Sequence, residues 1–183
     1  MMARATEAAL AFLLVAVPAS AEVCDPARFG TQAARAEQIG QAAMQLVRMV
    51  ERVDEVPPGT ADHIEQETAA AFAVRDQTKF TSVVANPLFY PHQVRKHAGL
   101  ILDNLRRARE TDSRQLQALH LSASVALYAD LRQALVAYFE LDRARTPRRF
   151  DNEAVRATST VIIPTGNTLL EALQCAIREL REP

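Results

Sequence analysis

Apolar residues recur three and four apart from Gln32 to Val53, where Ile39, Ala43, Leu46, Val50 and Val53 trace one face of an amphipathic helix. Pro57-Pro58-Gly59 breaks that pattern. Asp62, with Glu65 three residues on, has the form of a capping box opening a second helix through Ile64, Ala71 and Phe72 to near Gln77. Phe80 to Tyr90 is apolar but is split by Asn86-Pro87 and closed by Pro91, which predicts a buried connector with one helical turn. Pro91 suits the first position of the next helix, because its missing N–H is unpaired there in any case. That helix runs to about Arg109 with Val94, Ala98, Ile101, Leu105 and Ala108 as its buried stripe.

A second capping box, Asp112 with Gln115, opens the longest predicted helix, which continues to about Arg145 and stops before Pro147. At about 1.5 Å per residue it spans roughly 50 Å, the length of a spine. Leu116, Leu119, Ala123, Ala126, Ala134, Ala137 and Leu141 form its main stripe, and Leu121, Val125, Tyr128, Leu135 and Phe139 cover a second side. A helix apolar on two sides is expected at the centre of a bundle. Asp151 then caps a short helix, Val161-Ile162-Ile163 reads as extended because Pro164 follows, and Thr168 with Glu171 caps a final helix facing inward through Leu169, Leu173, Ala176 and Leu180. The fold class is all-α: a bundle of four or more helices around one long central helix.

The first residues carry an address. Arg4 and the amino terminus are positive, Ala8 to Val17 is an unbroken apolar run, and Ala19-Ser20-Ala21 is a small-x-small cleavage site. Residues 1–21 are thus expected to be a cleaved signal peptide, leaving 22–183 as a single periplasmic or secreted domain. The apolar run is about half the ~20 residues a membrane helix needs, so no span is expected after cleavage. Cys24 follows the cleavage site and Cys175 lies in the last helix, and these are the chain's only cysteines. In an exported chain they predict a structural disulfide clamping the N-terminus to the last helix. Such a closure removes roughly 5 kcal/mol of denatured-chain entropy in the simple loop model.

A net charge of −1 supplies no field for nucleic acid, which is not expected as a partner. The cations are arginines apart from Lys79 and Lys96; arginine forks recognise carboxylates and phosphates.

Candidate chemistry is sparse. His63 and Glu67 are the one His–carboxylate pair at helical i,i+4 spacing, a weak metal candidate without further ligands. No Cys-x-x-Cys-His, Gly-x-Ser-x-Gly or glycine-rich phosphate loop occurs, and no cofactor is expected. Asp130 is the sharpest anomaly, a carboxylate in the middle of the main stripe of the longest helix. Buried there it needs a partner, and His97 beside the Val94 stripe and Arg35 beside the Ile39 stripe are the candidates. The three predict either a buried pair that fixes helix register or a polar pocket inside the bundle.

A leader, a bundle of this size, a disulfide and interior arginines together resemble the secreted all-helical chorismate mutases. The resemblance is architectural: that family's ordered arginine, lysine and glutamate pattern has no counterpart here, and a Cys24–Cys175 clamp differs from its local C-terminal bridge. It implies a small-molecule enzyme with a polar pocket within the bundle. The leading expectation is a non-enzymatic interaction, assembly or ligand-binding module with an unknown protein or small-molecule partner; a metal or cofactor carrier is the third class.

Overall fold

The computed structural model describes residues 29–53, 60–145 and 156–182. The predicted leader, Cys24 and the helix capped by Asp151 lie outside the described residues. The described chain is all-helical: α1 Phe29–Val53, α2 Thr60–Ala73, α3 Gln77–Val84, α4 Phe89–Glu110, α5 Arg114–Arg145, a π-helical segment Ala157–Ile162, and α6 Ile163–Arg181. No helix among the described residues is long and apolar enough to cross a membrane.

Four long helices close a ring. α1 packs on α4, α4 on α5, α5 on α6, and the π-helical segment and α6 return to α1. The predicted stripes of α1 and α4 face inward: Ile39, Ala43, Leu46 and Val50 on one, Val94, Ala98, Ile101, Leu105 and Ala108 on the other are all buried. α2 and α3 form a hairpin laid on α4, with Ile64, Val83 and Leu88 buried beneath it. Of the region expected as a connector, Phe80 to Val84 belong to α3, Ala85 to Leu88 form a turn that buries Leu88, and Phe89 and Tyr90 open α4. Asp76 caps α3 by accepting a hydrogen bond from the Lys79 N–H at 3.0 Å. Arg75, at φ 51, takes the left-handed position that ends α2, and the Asp76 N–H closes the turn on the Ala71 carbonyl at 3.0 Å. Phe72 is not buried: it is 64% exposed and stacks on Phe80 with ring centroids 4.9 Å apart.

α5 is the longest helix, but it forms one side of the ring and does not occupy its axis. Its buried face is Leu121, Ser124, Tyr128, Leu131, Ala134, Leu135 and Tyr138. Of the stripe expected to be the main one, Ala134 is buried, Ala123, Ala137 and Leu141 are half-buried, and Leu116, Leu119 and Ala126 are exposed, the two leucines at 48% and 61%. Alanines make either face of this helix look apolar, and the larger Leu121, Tyr128, Leu131 and Leu135 decide which is buried, since transfer free energy scales with apolar area. The N-terminal cap also differs by one residue: Ser113 Oγ accepts from the Leu116 N–H at 3.4 Å, in place of Asp112.

Tyr128 fixes the rotation of α5. Its ring lies against α6 at Gly166, where a Cβ would stand 2.2 Å from Cε2 and 2.3 Å from the hydroxyl. The hydroxyl reaches the Ile163 carbonyl oxygen at 3.3 Å and Asn167 Oδ1 at 3.2 Å. Burial raises the phenol's pKa above its ordinary value, and Arg132 opposes this. Glycine is therefore required at 166 by close approach, because the buried ring has nowhere to move.

The stretch before Pro164 is helical, not extended. Ile163 is right-handed at φ −69, ψ −52, and its N–H reaches back five residues to the Thr158 carbonyl. Proline at 164 cannot donate to a carbonyl four residues back and would crowd it, and the wider π turn removes that conflict. Burial of Ala157, Thr158 and Ile162 against α1 outweighs the bias of a residue preceding proline. Thr168 is accordingly no cap; its hydroxyl donates to the Pro164 carbonyl at 3.1 Å inside α6.

Glycine to alanine within a helix ordinarily stabilises by up to about 1 kcal/mol. Here the sign inverts: Gly166→Ala is expected to cost about 1–3 kcal/mol by overpacking Tyr128. Denaturant unfolding measures it, and a gain in stability contradicts the Tyr128 contact.

Candidate functional site

Among the described residues the buried polar side chains are Gln32, His92, Ser124 and Thr158, and no arginine is buried. Most have local partners. Ser124 Oγ donates to the His120 carbonyl at 3.0 Å, and Gln32 Oε1 accepts from Arg35 Nη1 at 2.9 Å. Arg35 is therefore engaged on its own helix, and α1 packs against α4 and α6, not against the helix that carries Asp130. Thr158 Oγ1, in the π-helical segment, is buried without a hydrogen-bond partner among the described residues.

Asp130 is exposed, which overturns its reading as a buried carboxylate. Across the α4–α5 interface its charge favours the protonated form of the His97 imidazole, without an ion pair or hydrogen bond between them among the described residues. His97 is half-buried, and its Nδ1 has no hydrogen-bond partner among the described residues. Burial is the largest influence and holds the imidazole below its ordinary range; Asp130 pulls it back up, and Lys96 adds to the lowering. Neither Asp130 nor His97 lines the grooves along α5 among the described residues. His63 and Glu67 are both exposed, and no group of His, Cys, Asp or Glu that could hold a metal ion occurs among the described residues.

The polar node that sequence reasoning missed is His92, at the start of α4 and 2% exposed. Arg95 Nη2 lies 3.1 Å from His92 Nδ1, and Glu65 Oε2 of α2 lies 3.8 Å from His92 Nε2. Glu65 Oε1 also accepts from Lys96 Nζ at 2.5 Å, which lowers the Glu65 pKa foremost, with the charges of Lys96, His92 and Arg95 acting the same way. This node pins the α2–α3 hairpin to α4. A histidine five residues after Pro87 carries no sequence signal for it, because the partner Glu65 comes from another helix.

The remaining feature is the outer face of α5. Leu119, Ala126, Ala129, Gln133, Val136 and Glu140 are all exposed, with Val136 at 57%. Two adjoining grooves run between this helix and α6. One of about 470 Å³ is lined by Ser122, Val125, Gln174, Ile177, Arg178 and Arg181. The other, of about 510 Å³, continues along Gln115, Ala118, Leu119 and Leu180, shares Ser122 and Arg181, and includes Arg114. Arg114 is committed to closing α6, donating from Nη2 to the carbonyls of Glu179 and Glu182 at 2.8 and 3.0 Å. Arg178 and Arg181 make no ion pair among the described residues. The surface is a mixed strip, with Leu119 and Val136 as its large apolar residues, small and polar residues between and beyond them, and cationic groups on its α6 side.

No protein family, characterised protein or solved structure matches the chain.

A histidine held low when folded binds fewer protons than when unfolded, so stability falls as pH drops through the ordinary imidazole range and levels off below the folded value. Nuclear magnetic resonance titration is expected to place His97 below that range, and Asp130→Asn to lower it further. An unchanged or raised His97 pKa in Asp130→Asn contradicts the arrangement.

Proposed function

We propose that the chain is an exported helical interaction module whose docking surface is the outer face of α5 with its groove against α6. The observation that carries this reading is the exposure of Leu119 and Val136 on a face that the ring leaves outside its core. Leu119 and Val136 on one helix face, flanked by Arg178 and Arg181, which make no ion pair among the described residues, have the composition of a recognition surface. Small residues between them, Ser122, Ala126 and Ala129, give a partner's backbone close access.

Export and the clamp belong to the same proposal. The leader's pattern supports secretion into the periplasm or beyond, and a bridge from Cys24 to Cys175 suits that compartment. Cys175 is half-buried on α6, and no cysteine among the described residues is free. A covalent tie to α6 would hold the α6 wall of the groove to the N-terminal segment. Intact mass of the exported protein is expected to begin at Glu22 and to lack the hydrogens of both thiols; a retained leader or reactive thiols contradict this part.

Docking is tested by chemical cross-linking in cells that export the protein, comparing the native chain with Ala126→Arg. Position 126 is exposed and arginine is a good helix former, so fold and unfolding temperature are expected to hold. A specific adduct of the native chain should be lost in the variant. An adduct equally strong in both removes the α5 face from the account.

A further inference from the structure

We infer that the outer face of α5 docks on a second copy of itself, as an antiparallel two-fold pair of helices centred between Ala126 and Ala129. The inference rests on the docking reading above and names its partner. Gln115, Leu119, Ser122, Ala126, Ala129, Gln133, Val136 and Glu140, all exposed except the half-buried Ser122, alternate four and three apart. That is the heptad seam of a helix packed on another helix, and it is separate from the core seam through Leu121, Tyr128, Leu131 and Leu135.

The order of side chains along the seam is palindromic in kind. A two-fold interface is isologous, so residue i meets j and j meets i. Antiparallel pairing about the centre sets Ala126 against Ala129, Ser122 against Gln133, and Leu119 against Val136. Small meets small at the crossing, two groups able to hydrogen-bond meet next, and apolar meets apolar beyond them. A parallel pairing would instead set every position against its own copy, Glu140 against Glu140 included.

Charge selects the same arrangement. The cations bordering the seam at its N-terminal end are Arg114, Arg178 and Arg181, while its C-terminal half is bordered by Arg132 and ends on Glu140. Glu140 makes no ion pair among the described residues, and neither do Arg178 and Arg181. The antiparallel pairing carries Glu140 of each copy to the end of the other where α6 presents Arg178 and Arg181. Both ends are satisfied at once, which a single acidic partner helix would not require.

Sedimentation equilibrium of the mature, oxidised full-length protein tests this. The native chain is expected to form a reversible dimer that Ala126→Arg weakens by about tenfold or more, as a charge at the centre of an interface does. Glu140→Arg and Arg181→Glu should each weaken it several-fold, and the two together should restore it. Benzoylphenylalanine replacing Leu119 should cross-link to the peptide of the second copy that carries Val136. A native chain that stays monomeric, a charge exchange that fails to restore, or a cross-link to another segment overturns self-docking. If the chain is monomeric but the cellular adduct is a different protein and is still lost in Ala126→Arg, self-docking falls and the docking surface stands. Loss of both results sinks the two readings together.

Discussion

The contact of Tyr128 with the bare backbone at Gly166 sets the rotation of α5, and the rest of the molecule follows from that rotation. Residues two apart on a helix lie nearly opposite one another. Once Tyr128 turns toward α6, Ala126 must turn away from the bundle, and the seam through Leu119, Ala129 and Val136 goes with it. The same contact closes the ring, because α6 is the element that joins α5 back to α1. A side chain at 166 would separate the two helices just where the phenol finds its acceptors.

Reaching Gly166 in register has a backbone consequence one turn earlier. Pro164 interrupts the hydrogen-bond ladder, and the chain widens into a π turn instead of leaving the helix, because Ile162 and Thr158 are held against α1. One continuous helical rod thus faces α1 with its first part and α5 with its second. The hairpin of α2 and α3 is a separate matter. It is tied to α4 through Glu65, His92 and Lys96 and takes no part in closing the ring.

Much of this was legible from spacing alone where the apolar face was made of large residues. The stripes of α1, α4 and the end of α6 are legible because most of their leucines, isoleucines and valines stand on one side, Leu100 of α4 being an exposed exception. α5 is not, because alanine is compatible with either face, and the stripe from Leu116 to Leu141 mixes exposed positions such as Leu119 and Ala126 with the buried Ala134. Asp130 then looked anomalous only because the wrong face had been placed inside. Its electrostatic link to His97 survives the correction, since neighbouring helices in an antiparallel pair bring those two positions together. The Gly166 contact and the His92 node were hidden for a different reason: each joins residues far apart in sequence, and neither has a local signature. The exposed heptad of α5 was present in the sequence, yet it gains meaning only when the core seam is known to be another one.

In the proposed reading, the longest helix carries two seams, one buried in its own core and one covered by association. Concentration-dependent carbene footprinting of the mature protein reads both seams in one measurement. Leu121 and Leu135 should resist labelling at every concentration, while Leu119 and Val136 should label strongly in dilute solution and become protected as concentration rises. Protection of Leu119 and Val136 at all concentrations would place them in the core and contradict the rotation of α5; labelling that never diminishes would leave the outer seam without a second copy to cover it.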